Sequence, residues 1–336
     1  MKRVAIVGAG IAGLTLAREL GDVAEVVVFE KSRGPGGRMA TRQADPYQFD
    51  HGAQFFTARS DEFTSFINPF IDQGQVARWD AEFVEIESDR IVSARSWADG
   101  PAHYVGTPRM NALAKQMAAG VDVRLETRVS RLESTVAGWR LYDQAAASLG
   151  DYDWVVAAIP AEQAGALMPA DFSARGEVCR KHMLGCYSLM LGYEQALALD
   201  WQAAFVSGAD ISWISNDSSK PGRPDNYTLL VHSTNRWAED NIDRDDASVT
   251  AFLRQELGRV IGLDVSGAAH VALQRWRYAN IGRQQNGAFF IDCDNRLAAA
   301  GDWCIHGRIE SAYLSALRLA QRLQRELQAS RDFTRG

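Results

Sequence analysis

Apolar and polar positions fall into two textures along this chain. Short unbroken apolar runs, residues 4–7 and 26–29, flank a stretch with Leu14, Ala17 and Leu20 at helical spacing. That order predicts two buried parallel strands joined by a crossover helix. The texture returns at residues 154–159 and 297–300, each a short run bounded by turn residues. After the last run Ala312, Ala316, Leu319, Ala320, Leu323 and Leu327 recur at helical spacing and predict an amphipathic helix. Elsewhere, at about 59–100 and 165–285, apolar and polar residues alternate over short runs, as in Ser188-Leu189-Met190-Leu191-Gly192-Tyr193 and Tyr227-Thr228-Leu229-Leu230-Val231-His232. These read as strands of an antiparallel sheet, with one helix at 247–261. The predicted fold class is α/β. A Rossmann-like nucleotide domain (residues 1–58, 101–164 and 286–336) carries an inserted α+β substrate domain built on an antiparallel sheet (residues 59–100 and 165–285).

The first apolar run enters Gly8-Ala9-Gly10-Ile11-Ala12-Gly13, and the second ends on Glu30. Gly8 permits the tight turn out of the strand. At Gly10 the missing side chain lets a pyrophosphate approach the backbone, and at Gly13 it lets the helix pack on the sheet. The first N–H groups of the helix, at Ile11, Ala12 and Gly13, suit a phosphate, as does the positive end of its dipole. Glu30 can accept hydrogen bonds from both ribose hydroxyls. A strand before, a helix after and an acid at the right distance make this a dinucleotide fingerprint rather than a bare glycine turn.

Composition bounds the rest. The 336 residues suggest two domains with ample core. The net charge of −6 and the lack of a basic run argue against a nucleic-acid partner. The uncharged run from 4 to 17 is shorter than the roughly 20 apolar residues a membrane span needs. Its three glycines fit the dinucleotide turn better than a cleavable leader. The four cysteines, Cys179, Cys186, Cys293 and Cys304, show no C-x-x-C spacing and no metal-site pattern. They read as reduced thiols, and the expected location is the cytoplasm.

Glu30 followed by five residues and then Gly36-Gly37-Arg38 resembles the flavoprotein family of glutathione reductase-like and amine oxidase-like enzymes. The resemblance implies that Gly36, Gly37, Arg38 and Met39 line FAD. It implies an adenine contact at Val129, and contact of Asp302, after Gly301, with the ribityl and pyrophosphate part. The next helix begins near Arg308, Ile309 and Ser311, and its positive end would face the flavin pyrimidine edge. Three further segments narrow the likeness: Phe49-Asp50-His51-Gly52-Ala53-Gln54-Phe55-Phe56-Thr57-Ala58-Arg59, Gln274-Arg275-Trp276-Arg277-Tyr278-Ala279, and Gly301-Asp302-Trp303-Cys304-Ile305-His306-Gly307-Arg308-Ile309-Glu310. Together they resemble the bacterial renalase group of the amine oxidase-like superfamily. Ser311 and Ala316 stand where that family's helix start commonly has glycine.

This resemblance implies an oxidase of 2- or 6-dihydro isomers of NAD(P)H, with noncovalent FAD, returning NAD(P)⁺ and reducing dioxygen to hydrogen peroxide. It assigns Lys31, Gly52, Ala53 and Gln54 to the cofactor. It assigns Phe55, Phe56, Thr57, Ala58, Arg59, Trp276, Tyr278 and Trp303 to the substrate. Hydride loss that aromatises the ring needs no general base. No Ser/His/Asp grouping or carboxylate pair is visible, so no catalytic side chain is assigned. His51 and His306 read as packing residues. Two alternatives stay open: a flavin-containing amine oxidase, and an FAD-binding sensor without turnover.

Overall fold

The computed structural model describes residues 1–285 and 287–333. The chain divides into two units, one of Met1–Gly37, Ala114–Met183 and Asn280–Gly336, the other of Arg38–Leu113 and Leu184–Ala279. The breaks fall after Gly37, Leu113, Met183 and Ala279, beside borders expected near 58, 101, 164 and 286. The segment after Gly37 folds as a ribbon, Thr41–Ala44 against Tyr47–Asp50, and the Asp50 N–H is held by the Asp217 carboxylate at 2.7 Å. That bond ties it to the second unit.

In the first unit six strands form one sheet, in the order Phe289–Asp292, Leu297–Ala300, Trp154–Ala157, Arg3–Val7, Glu25–Phe29, Asp122–Arg124. Neighbours are parallel except for the antiparallel edge pair Phe289–Asp292 with Leu297–Ala300. The apolar runs of the sequence are its four central strands, and residues 4–7, 27–29, 154–157 and 297–300 are buried, as parallel strands covered on both faces must be. Helix Ile11–Leu20 packs against helix Ile309–Phe333. A small antiparallel sheet, Arg131–Thr135, Gly138–Tyr142 and Ser148–Tyr152, completes the unit.

In the second unit seven strands run in the order His270–Asn280, Leu184–Gly192, Thr228–Ser233, Ile211–Asn216, Ala203–Ser207, Glu82–Glu87, Arg90–Ser96. The two alternating segments of the sequence pair with each other, Ser188 opposite His232 and Gly192 opposite Thr228. The sheet is not wholly antiparallel: Glu82–Glu87 runs parallel to Ala203–Ser207. One face is covered by helix Asp246–Ile261, which buries Val249, Leu253, Leu257 and Val260 against Leu189, Leu191 and Val231. Asp245 caps its first turn by accepting the Ser248 N–H, and Gly262, at φ 67°, closes its end. Among the described residues no helix is long and apolar enough to cross a membrane.

Candidate functional site

The nucleotide fingerprint is built entirely within the first unit. A Cβ at Gly13 would lie 1.9 Å from the Gly8 carbonyl oxygen, so only glycine lets the helix leave the strand this closely. At Gly10 a Cβ would meet nothing within 4 Å. The first helical hydrogen bond runs from Leu14 N–H to the Gly10 carbonyl at 3.0 Å, and no side chain caps the helix. The N–H groups of Ile11, Ala12 and Gly13 thus lie ahead of the hydrogen-bonded ladder beside an open glycine, as a phosphate requires.

Glu30 is buried, and its carboxylate accepts Ala9 N–H at 2.9 Å and Ser32 N–H at 2.8 Å. These bonds fix it beside the glycine turn, and each oxygen keeps a lone pair for a hydroxyl. Lys31 beside it is exposed, near Gln163 Oε1 at 3.4 Å. The second glycine cluster returns to the first: Gly36 N–H donates to the Ala9 carbonyl at 2.9 Å, and Gly37 lies against Gly10. Gly36 has φ 127°, which other residues rarely adopt. On the other side of Glu30, Thr127 N–H donates to its carbonyl at 2.9 Å, which brings in the segment carrying buried Val129. An open glycine, uncapped helix N–H groups and an anchored carboxylate together fit the adenosine and pyrophosphate parts of FAD.

The third motif belongs to the same unit. Gly301 N–H donates to Ser315 Oγ at 2.9 Å, and the Asp302 carbonyl accepts Ile305 N–H at 2.9 Å and His306 N–H at 2.8 Å. Asp302 and Ser311 are buried, Ile309 is half-buried and Arg308 is exposed. Trp303 departs from expectation. It is 1% exposed, donates its indole N–H to the Ile159 carbonyl at 2.9 Å and stacks on Phe290. It is a core residue of the first unit, not a pocket wall.

The second unit holds the remaining expected residues. Arg38 donates to the Ala279 carbonyl at 3.0 Å, and Ala53 N–H donates to the Arg38 carbonyl at 2.9 Å, so residues 38 and 52–53 lie together. Met39 is buried. Gln54 is not open to a cofactor. Its amide donates to the Asp50 and Gly52 carbonyls at 2.6 and 3.0 Å and accepts from Ser215 Oγ and Lys220 Nζ at 3.0 and 3.1 Å. Its role is to shape the loop.

Phe56 is likewise core, packed on Phe63 and Tyr104. Phe55 is half-buried, its ring edge-on to Trp97 and His103, each at 5.0 Å. Thr57 and Ala58 are half-buried and Arg59 is exposed.

Trp276 and Tyr278 sit two apart on strand His270–Asn280 and therefore share a face. Trp276 stacks on His51 with ring centroids 5.3 Å apart and planes 17° from parallel. Its indole N–H donates to the His51 carbonyl at 2.8 Å, and Ser188 Oγ donates to the same oxygen at 2.7 Å. The ring is held by stacking and by a hydrogen bond. The opposite strand face carries Arg275 and Arg277, bonded to Asp246 and Asp243. Both guanidinium groups are thus already paired with carboxylates.

Sequence reasoning missed the buried charges beneath this loop. Asp50 pairs with Arg223 and lies 3.7 Å from Lys220, while Lys220 pairs with Asp217. The only signal was Lys220-Pro221-Gly222-Arg223 between two strand patterns, which reads as a solvated turn.

Burial, reinforced by Arg42, pushes the His51 imidazole down to about 4. Burial, reinforced by Lys220, takes His232 to about 3. Both are neutral at pH 7, and in an unfolded chain both would titrate near 6.5. Protons therefore bind the unfolded chain first as the pH falls. We expect the unfolding free energy to drop between pH 6.5 and about 4, with about 3 kcal/mol of the loss from His51. His51→Phe should remove that share of the slope. A urea midpoint that stays flat across this window would contradict it.

Comparison with known proteins agrees with this geometry. A family model described as flavin containing amine oxidoreductase matches residues 83–324, and one described as NAD(P)-binding Rossmann-like domain matches residues 6–70. A protein of Arabidopsis thaliana, provisionally named flavin-containing monooxygenase FMO GS-OX-like 10, is 27% identical over 266 residues. That match takes in 73% of this chain but only 57% of the plant protein.

A solved structure from Exiguobacterium sp. 255-15, provisionally named protoporphyrinogen oxidase, superposes with a TM-score of 0.78 at 14% identity, over 97% of this chain and 99% of that one. Cyclohexylamine oxidase from Brevibacterium oxydans IH-35A gives 0.71 at 14% identity, over 97% and 99%. At these identities the superpositions speak for the fold alone, while the family match covers most of the chain. The chain belongs to the flavin containing amine oxidoreductase family, and its cofactor is FAD.

Proposed function

We propose that this protein oxidises the 2- or 6-dihydro isomers of NAD(P)H to NAD(P)⁺, as the bacterial renalase group does, with dioxygen as the final acceptor. The observation that carries the reading is the Trp276–His51 stack with Tyr278 on the same strand face. A fixed, uncharged aromatic wall suits a flat neutral ring such as a dihydronicotinamide. Bound FAD supplies hydride acceptance and two-electron reduction of dioxygen to hydrogen peroxide.

The chain's own residues then have two tasks. Trp276 and Tyr278 orient the ring. The neutral His51 behind Trp276 adds no positive charge of its own beside a nicotinamide that gains one as it aromatises. No side chain has to remove a proton, which agrees with a site whose nearest imidazole is held near 4.

Hydride transfer needs the donor carbon roughly 3–3.5 Å from its acceptor. A rigid wall that aligns ring position 2 or 6 therefore misaligns position 4. In anaerobic rapid mixing, the isomers should bleach the flavin quickly and ordinary NADH slowly. Trp276→Ala should slow bleaching while FAD content is kept. Equal rates with ordinary NADH and the isomers would sink the reading.

Amine oxidation is the second reading, favoured by the family match. A panel of primary amines in the same experiment decides between them.

A further inference from the structure

The arginines on and around strand His270–Asn280 are held in different ways. Arg275 and Arg277, on one face, are bonded to Asp246 at 2.5 Å and Asp243 at 2.6 Å. Arg42 reaches the other face, the one shared by Gln274, Trp276 and Tyr278. Its side chain leaves the ribbon Thr41–Ala44 opposite Phe49, which itself stacks on His270. Arg42 Nη2 donates to Gln274 Oε1 at 3.1 Å, and Nη1 points at the Leu273 carbonyl at 3.5 Å. Gln274 is turned for this purpose, because its Nε2 is spent on the Arg275 carbonyl at 3.2 Å.

Arg42 is therefore positioned by neutral acceptors only. Among the described residues it has no carboxylate partner, although it is half-buried. A guanidinium carries five N–H donors, and here at most two are used. A half-buried charge held by neutral groups keeps most of its attraction for an anion. The remaining donors form the planar fork that meets a phosphate bidentately. Its field also reaches along the face, since Arg42 adds to the lowering of the His51 imidazole.

We infer that Arg42 is a specificity-determining residue, and that it binds a phosphate of a substrate whose planar ring lies on Trp276 and Tyr278. This rests on the dihydronicotinamide reading and sharpens it. The substrate is a nucleotide rather than a bare ring, and an ammonium substrate would meet a like charge. Arg42 orients and selects; it touches no reacting atom.

The test uses the FAD-loaded protein in anaerobic rapid mixing with three probes that share one dihydronicotinamide ring. They are the dinucleotide, the mononucleotide and the riboside, which lacks phosphate. For the parent protein, the apparent Kd should be about tenfold lower for the two phosphate-bearing probes, with similar limiting rates of bleaching. Raising the salt concentration should narrow that gap.

Arg42→Met, which keeps the apolar stem, should erase the gap by weakening the nucleotides alone, with FAD content and limiting rate unchanged. Arg42→Lys should keep part of it. Bleaching by all three probes with one common Kd in the parent protein would overturn the role of Arg42 and leave the functional reading standing. So would a gap that survives in Arg42→Met. Bleaching by none of them would take down the functional reading and the Arg42 assignment with it. The parent comparison decides even if the variants fail to fold.

Discussion

Gly13→Ala should yield almost no soluble protein, whereas Gly10→Val should yield native-like protein without colour. The two glycines are three residues apart in one motif, and the structure gives them opposite duties. A Cβ on Gly13 would stand 1.9 Å from the Gly8 carbonyl oxygen, and that oxygen belongs to backbone which cannot swing away. Either the helix lifts off the sheet or the turn opens. Overpacking of this kind costs about 3 kcal/mol or more, against a total stability of roughly 5–15. Gly10 has φ −78° and ψ −178°, extended backbone open to any residue, and its Cβ would meet nothing within 4 Å. Valine there should leave the unfolding midpoint of the flavin-free protein where the parent's is. Its branches would occupy the space in front of the first helical N–H groups, where the pyrophosphate is proposed to lie. Flavin content and the flavin-free midpoint, measured together, separate the two. A Gly10→Val protein that stays yellow would show that the phosphate lies elsewhere.

The parts legible in the sequence are those written in short range. The four central strands of the first unit are continuous apolar runs because both faces of a parallel sheet are covered. The turn at Gly8–Gly13 and the carboxylate at Glu30 are set by local backbone demands, and the structure joins them by the Ala9 N–H bond to Glu30. Helix Asp246–Ile261 announces itself by its spacing and is confirmed by its cap.

What was hidden depends on where the chain turns afterwards. Trp303 follows a Gly-Asp pair expected near the cofactor, but the short turn Asp302–Cys304 sends its ring inward to the Ile159 carbonyl, 144 residues away. Gln54 sits within a segment of the right chemistry, yet all its hydrogen-bonding capacity is taken by Asp50, Gly52, Ser215 and Lys220. Arg42 shows nothing in sequence beyond an arginine on a short strand. Its significance comes from Gln274, 232 positions away, and from the absence of an acid beside it among the described residues.

Asp50→Ala should destabilise the protein by about 3–5 kcal/mol, the second large effect. Asp50 is fully buried and accepts from Thr41 Oγ1 at 2.6 Å, from Met110 N–H at 3.1 Å and from Arg223 Nε at 3.1 Å, with a further short contact from Arg223 Nη2. Burial by itself would raise its carboxyl, but Lys220 and Arg223 outweigh that and hold it below the ordinary value. With Asp217 the cluster sets two acids against two bases, although burial raises the Asp217 carboxyl above its ordinary value despite Lys220. Alanine would leave Arg223 and Lys220 facing Asp217 alone, with positive charge in excess at a fully buried site. The damage should also reach the loop above, since Asp50 anchors one end of it and the Gln54 amide closes the other.

Replacing the pair together, Asp50→Leu with Arg223→Met, should recover most of the loss, because a matched apolar pair carries no buried charge. The cluster also sets an acid limit separate from that of the histidines. A carboxyl held low in the folded state contributes stability that is complete above its unfolded value, roughly 3.9, and is lost as the pH falls further. Urea unfolding of the three proteins at pH 7, at pH 4 and at a pH well below roughly 3.9 distinguishes these contributions, since the His51 loss falls in the first interval and the carboxyl loss in the second. A loss below about 1 kcal/mol for Asp50→Ala would mean that the buried charges are not held as ions.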